Sequence, residues 1–272
     1  MITQKEFLKL RDFIYKKTGI FMEEKKYPII GKKIDKLMRD RGFDDFRSLF
    51  HSLRFSKDDK LFQDIISLIT VNETYFFREK YQFDSLINYV LPEIHKKRPP
   101  SEVIRILCAP SSTGEEPYSI AIELLEEGRI VEERDIEIVG IDIDSNVIEK
   151  AKKGYFTKRS VQFVPPMLLR KYFKQEGSLY KIDEFLTEVV DFRVVNVVDT
   201  LQFGRLGKFD IIFSRNMLIY FDDASRQKTA MNFYNSLKPG GYVFLGHAES
   251  MSRITSVFKT IKVGESIVYK KE

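Results

Sequence analysis

Two adjacent carboxylates, Glu115 and Glu116, follow the run "RILCAPSSTG" where an apolar strand pattern gives way to an amphipathic helix pattern. A nucleotide-binding βα unit begins this way, and such a turn ordinarily holds a phosphate on the free N–H groups of the helix start. Here the turn has only Gly114, so the G-x-G-x-x-G dinucleotide fingerprint is absent. Two acids beside the turn repel a pyrophosphate strongly at low dielectric and favour a cationic ligand. Asp142 closes a second apolar run, "IEIVGID", at the place where a carboxylate accepts both hydroxyls of a ribose. Plainer readings are acids set against a helix dipole for Glu115 and Glu116, and a helix cap for Asp142. Asp144 and Ser145 are better placed to cap, and the three carboxylates together suit S-adenosylmethionine, which carries adenine, ribose, an ammonium and a sulfonium but no phosphate.

These residues need strands to carry them. From residue 103 onward "VIRILCA", "IEIVGID", "FRVVNVVD", "FDIIFSR" and "GYVFLG" are short β-branched or aromatic runs bounded by Gly, Asp or Asn. Helical patterns follow the first, second and fourth runs, at 114–127, 145–153 and 223–237. The alternation predicts an α/β fold, an open and mostly parallel sheet with helices on both faces and ligands at the carboxyl ends of its strands. "FKTIKVGESIVYKK" predicts a terminal antiparallel hairpin around Gly264-Glu265. Residues 154–191 interrupt the alternation for longer than an ordinary loop, and "YFKQEGSLYKIDEFLTEVVDF" reads as a small β insertion turning at Gly177.

Residues 1–90 read as helices. Phe7, Leu10, Phe13 and Ile14 lie at helical spacing before Gly19, and Ile30, Ile34 and Leu37 repeat the scheme before Gly42. Further helices are expected at 44–54, 57–69 and 79–97, and "KKRPPSE" carries a linker signal. The expected organisation is a helical domain at 1–90, a linker at 91–102 and a ligand-binding domain at 103–272. Residues 1–60 hold 16 Lys and Arg against 10 Asp and Glu, although the whole chain of 272 residues carries only +5. The basic character therefore belongs to the helical part and implies an acidic partner. Lys32, Lys36 and Arg39 form a ridge at i, i+4 and i+7, whose bland reading is an ordinary solvated face.

The composition argues for a cytoplasmic protein without a membrane span or signal peptide. A lone cysteine excludes an internal disulfide, and only three histidines accompany it, so no metal site is expected. Cys108, at a strand end, reads as a small buried residue. A monomer is expected, since no exposed heptad asks for a partner.

"NETYFFRE" (72–79), "STGEEPYS" (112–119), "GIDID" (140–144), "SRNMLIYF" (214–221) and "LGHAES" (245–250) closely resemble, in order and spacing, the CheR-type chemotaxis receptor methyltransferases. The resemblance covers nearly the whole chain. It implies a class I methyltransferase sheet, Rossmann-like, with an N-terminal helical domain and a small β-subdomain, and methyl transfer from S-adenosyl-L-methionine to glutamate side chains of methyl-accepting receptors. Asn72, Thr74 and Arg78 would close over the cofactor, Glu115 or Glu116 would take its ammonium, Asp142 the ribose, and Asn196 with Val197 the adenine edge. Arg215 and Asn216 would line the methionine side. Arg78 and Tyr220 would be catalytic, the first holding the incoming carboxylate and the second fixing its approach. The ridge of Lys32, Lys36 and Arg39 would meet the acidic cytoplasmic helical region of the receptor.

Two departures qualify the resemblance. Pro110 removes a backbone donor at the first turn. In some relatives the β-subdomain captures a receptor C-terminal tether peptide on a longer glycine-containing loop, whereas "KQEGSLYKI" has a tight turn with Gly177, so no tether is expected here. Two other readings compete. A nucleic-acid methyltransferase would suit the basic helical part, but the ridge is short and lacks interleaved aromatic residues. A non-catalytic S-adenosylmethionine sensor would not need Arg78 and Tyr220. Asn216 followed by Met-Leu-Ile-Tyr, without prolines, also departs from the Asn-Pro-Pro-Tyr of amino-group methyltransferases.

Overall fold

The computed structural model describes residues 2–127 and 129–272. Four helices open the chain: α1 (Gln4–Thr18), α2 (Tyr27–Asp40), α3 (Phe46–Phe55) and α4 (Lys60–Ile69). Thr3 and Glu6 form a reciprocal cap at the start of α1, and Gly19 ends it with φ +75°. Phe7, Leu10, Ile14, Ile30, Ile34, Leu49, Ile65 and Ile66 make a core of their own. This is the stripe the helical spacing predicts, and it leaves Lys32, Lys36 and Arg39 on the exposed side of α2.

The chain then continues through α5 (Lys80–Ser85), a π-helical turn at Leu86–Val90 and α6 (Leu91–Lys97). Phe76, Phe83, Leu86, Val90, Leu91 and Ile94 are buried in one cluster with Ile104, Ile106 and Phe213 of the sheet. Residues 76–94 thus pack with the sheet rather than with the first four helices. The segment 91–102 is no free linker. It is helical through Lys97, and the Arg98 Nε donates to wholly buried Asp210 at 2.8 Å. The prolines that suggested a linker lie beyond that anchor.

The sheet domain contains β1 (Ile104–Cys108), α7 (Glu115–Glu127), α8 (Arg129–Glu133), β2 (Ile136–Asp142) and α9 (Ser145–Lys153). An insertion follows, with β3 (Tyr155–Thr157), α10 (Pro166–Tyr172), β4 (Phe173–Glu176), β5 (Leu179–Ile182) and α11 (Glu184–Val189). The chain returns through β6 (Val190–Val194), α12 (Thr200–Gly204), β7 (Phe209–Ser214), α13 (Asp223–Ser236), β8 (Leu237–Leu245), β9 (Lys259–Val263) and β10 (Ser266–Lys270). Seven strands pair in the order β6-β2-β1-β7-β8-β10-β9, parallel from β6 through β8 and antiparallel across the terminal hairpin. This is the open, mostly parallel sheet, Rossmann-like, that the strand–helix alternation predicts.

Two local readings change. The third strand of the sheet is Val190–Val194, so it begins before "FRVVNVVD" and stops before Asn196. The insertion holds a three-stranded antiparallel sheet, β3-β5-β4, but Glu184–Val189, within the run expected to alternate, is helical. Asp183 caps that helix by accepting the Phe185 N–H at 2.9 Å, and Leu186 is buried from it. Capping and burial override the alternating pattern. Cys108 is fully buried, as its strand-end position predicts.

Candidate active site

The crevice between the helical domain and the carboxyl ends of β1, β2, β6 and β7 has two adjoining compartments. Both are lined by Val71, Asn72, Pro110, Asp142, Asn216 and Tyr220. The first is mainly apolar, with Ile141, Ile143, Val195, Val197 and Met217 from the sheet domain facing Ile20, Phe21, Met22 and Ile30 from the helical domain. The second is polar and adds Glu73, Thr74, Tyr75, Arg78, Ser111, Ser112, Glu116 and Arg215.

At the end of β1 the chain turns through Ser112 (φ +47°) and Gly114 (φ +98°) into α7. A side chain at Gly114 would lie 2.9 Å from the Tyr118 ring, so the turn needs glycine both for its φ and for this approach. The Ala109–Pro110 bond is cis. The turn is tied to β2: the Asp142 carboxylate accepts the N–H groups of Ser112 at 3.1 Å and Asp144 at 3.0 Å. Burial pushes Asp142 up to about 6 despite those bonds. Asp144, not Asp142, caps α9, accepting the Asn146 N–H at 2.9 Å.

The two glutamates separate. Glu115 is buried against Thr113, whose hydroxyl donates to it at 2.6 Å, and it lines neither compartment. Glu116 lines the polar compartment, with Oε2 at 3.0 Å from Arg215 Nη1 and Oε1 buried without a hydrogen-bond partner. Burial raises the pKa of Glu116, and the Arg215 guanidinium opposes the rise. Arg215 also approaches Glu79 through Nε at 3.4 Å, donates to the Arg78 carbonyl through Nη2, and lies 5.6 Å over the Phe83 ring.

The residues of "NETYFFRE" divide by task. Asn72 Nδ2 donates to Asp144 at 3.2 Å, and Asp144 also takes the Ser67 hydroxyl at 2.6 Å, which fastens the end of α4 to the start of α9. Arg78 and Thr74 line the polar compartment. Arg78 Nη1 donates to the Glu73 carbonyl at 3.2 Å, and its guanidinium lies 5.7 Å over the Tyr75 ring. Tyr220 lies at the junction of the compartments, half-buried, with burial raising its pKa.

Asn196 and Val197 line the apolar compartment, but the Asn196 side chain is engaged elsewhere. Its Nδ2 donates to the Lys17 carbonyl at 2.8 Å and its Oδ1 accepts from the Val198 N–H at 3.0 Å. Lys32, Lys36 and Arg39 lie outside the crevice, exposed on α2, and form no ion pair among the described residues.

The helical-domain wall was not legible as a site in the sequence, because Ile30 reads as core and Phe21 and Met22 belong to no motif. Two acids at the ends of quoted motifs also went unassigned. Glu79 touches Arg215, and Glu249 of "LGHAES" accepts the N–H groups of Asn216, Leu218 and Gly246. Their appearance inside motifs was the available signal.

An apolar slot for a flat ring, a buried carboxylate at its edge and an unpartnered carboxylate oxygen beyond suit a cationic nucleoside. Comparison with known families matches residues 5–70 to the CheR methyltransferase all-alpha domain and residues 72–267 to the CheR methyltransferase SAM binding domain. The chain is 44% identical over 273 residues to Chemotaxis protein methyltransferase 2 of Vibrio cholerae, a match spanning 100% of this chain and 94% of that protein. It is 34% identical over 256 residues to the chemotaxis protein methyltransferase of Borreliella burgdorferi, covering 92% and 89% of the two chains. It is 32% identical over 261 residues to that of Salmonella typhimurium, covering 94% and 88%. The chain belongs to the CheR family of S-adenosylmethionine-dependent methyltransferases.

Proposed function

We propose that this CheR-family enzyme methylates glutamate side chains of methyl-accepting chemotaxis receptors, forming glutamyl methyl esters. One observation carries the reading. Of the two cations lining the polar compartment, Arg215 is paired with Glu79 and Glu116, whereas Arg78 has no carboxylate within ion-pair distance among the described residues. A half-buried guanidinium beside the cofactor's amino-acid end is a fitting anchor for an incoming carboxylate.

Glu116 takes the ammonium on its unpartnered oxygen and Asp142 accepts the ribose hydroxyls. Val195 and Val197 sandwich the adenine with the helical-domain wall, and backbone groups near Asn196 meet its edge, because the Asn196 amide is already bonded. Arg215 and Asn216 line the methionine side, and Asn72 holds the two domains together across Asp144. When bound, S-adenosylmethionine supplies a methyl on cationic sulfur; its transfer forms a carboxylate O–C bond, breaks the S–C bond and leaves S-adenosylhomocysteine. A glutamate is already ionised at neutral pH, so the enzyme needs no general base. Its task is alignment, which contributes up to roughly 7–11 kcal/mol in well-oriented cases. Arg78 holds the nucleophile clear of Glu116, and Tyr220 sets its approach.

The exposed, unpaired ridge of Lys32, Lys36 and Arg39 docks the acidic helical region of the receptor. No described helix is long and apolar enough to cross a membrane, and the reading places the enzyme in the cytoplasm with that receptor region. The β4–β5 connection is only Gly177-Ser178, which supports turnover without a tether peptide.

The test incubates labelled S-adenosylmethionine with a receptor cytoplasmic domain and then adds alkali. Volatile methanol is expected from wild type and nearly none from Arg78→Ala, while Tyr220→Phe binds cofactor but turns over slowly. Alkali-stable label, or none, overturns the reading. An isolated receptor C-terminal peptide should show no heat of binding.

A further inference from the structure

Glu79 ends the "NETYFFRE" motif and stands outside the crevice, yet both of its carboxylate oxygens have partners. Its Oε1 meets His247 Nδ1 at 2.8 Å, and its Oε2 accepts from Gln82 Nε2 at 3.1 Å and lies 3.4 Å from Arg215 Nε. Gln82 is itself pinned by donating to the Leu245 carbonyl at 2.8 Å. Glu79 stands at the start of α5, and the Gln82 and His247 contacts hold its carboxylate in place.

On its other edge the Arg215 guanidinium reaches Glu116 with Nη1 alone, at 3.0 Å, while Nη2 is spent on the Arg78 carbonyl. One guanidinium therefore serves two carboxylates. A guanidinium and a lone carboxylate prefer a two-pronged contact. Glu116 makes a single-pronged contact instead and keeps Oε1 without a partner. Two restraints hold it there: the Arg78 carbonyl occupies Nη2, and Glu79, in an ion pair 3.4 Å from Nε, offsets part of the Arg215 charge.

We propose that Glu79 is a positioning residue for the amino-acid end of the cofactor, holding Arg215 so that Glu116 retains one free, charged oxygen. The inference rests on the reading of Glu116 as the partner of the cofactor's ammonium. Without the Glu79 charge, Arg215 is balanced by Glu116 alone and is drawn toward its free oxygen. The free oxygen is then lost and the pair becomes neutral, so the ammonium finds neither acceptor nor field. Nothing changes at Asp142 or in the apolar compartment, which hold the nucleoside. The effect is thus specific to ligands that carry the amino-acid end.

Calorimetry on the full chain separates this from a general structural role. Wild type and Glu79→Gln, which keeps the shape and removes the charge, are each titrated with S-adenosylhomocysteine and with 5′-methylthioadenosine, which lacks the amino-acid end. The substitution should weaken S-adenosylhomocysteine by about tenfold or more, as expected for one lost charged contact. It should leave methylthioadenosine within about twofold. Glu79→Asp, which restores the charge, should recover part of the loss. An equal loss for both ligands, or none for either, overturns the role of Glu79. If wild type itself does not prefer S-adenosylhomocysteine, the reading of Glu116 fails and this inference falls with it.

Discussion

The Glu249 carboxylate accepts the backbone N–H of Asn216 at 2.8 Å, across 33 residues of sequence. It also takes the N–H groups of Leu218 at 2.8 Å and Gly246 at 3.0 Å. One side chain therefore fixes the short helical turn Leu218–Tyr220 behind β7 and holds Asn216 at φ +57°. The Asn216–Tyr220 side of the crevice is built from backbone bent around a partly buried acid.

Replacing Glu249 with Ala leaves those N–H groups without acceptors. A buried donor stripped of its partner costs about 1–3 kcal/mol. Glu249→Ala is expected to destabilise the chain by at least about 2 kcal/mol in urea unfolding and to slow transfer more than it weakens cofactor binding, because Tyr220 loses its frame. An unchanged unfolding midpoint contradicts this.

Only one glutamate of the first turn lines the crevice. Glu116→Gln should weaken S-adenosylhomocysteine by about tenfold or more, whereas Glu115→Gln should change it less than about threefold. Burial already raises the pKa of Glu115, so a neutral amide suits its site. Calorimetry on the two variants decides, and a larger effect at Glu115 reverses the assignment.

Asp142 sets the pH response. Burial lifts it from its ordinary value of 3.8 to about 6, so the folded chain holds that proton to higher pH than the unfolded chain does. For the ligand-free protein this favours the folded state below about pH 4, an advantage lost as pH rises through about 6. Binding slopes the other way, because ribose hydroxyls need the ionised carboxylate as acceptor. Affinity for S-adenosylhomocysteine should rise about tenfold from pH 5 to pH 7, and Asp142→Asn should flatten most of that slope. A flat wild-type profile would rule this out.

Charge reversal at Lys32, Lys36 and Arg39 should raise the apparent KM for receptor at least about tenfold, an effect that shrinks in high salt. Cofactor affinity should stay within about twofold, since these side chains lie on the exposed face of α2, outside both compartments. An unchanged KM removes the ridge from receptor recognition.

Much of this site was legible because its signals are local. A strand followed by a turn and a helix places the next few residues at the carboxyl end of a sheet, so Asp142, the pair Glu115-Glu116, Arg215 and Asn216 are located at strand ends from short runs alone. The basic ridge was legible too, since i, i+4 spacing puts side chains on one helix face whatever that helix packs against. The extent of the helical domain was not. Helical periodicity at 79–97 identifies a buried face but not which core buries it, and Phe83, Leu86 and Ile94 chose the sheet.

The sequence by itself determined the alternating strands and helices, the acids at the strand ends and the absence of a phosphate loop, all properties of residues near one another in the chain. Tertiary structure decided between Glu115 and Glu116, because successive residues of a helix point about 100° apart and only the seating of α7 on the sheet says which one faces the crevice. It also brought Phe21, Met22 and Ile30 into the apolar wall, Glu249 behind Asn216 and Glu79 beside Arg215. Those contacts span many tens of residues. Their geometry depends on how layers pack, which no local pattern encodes.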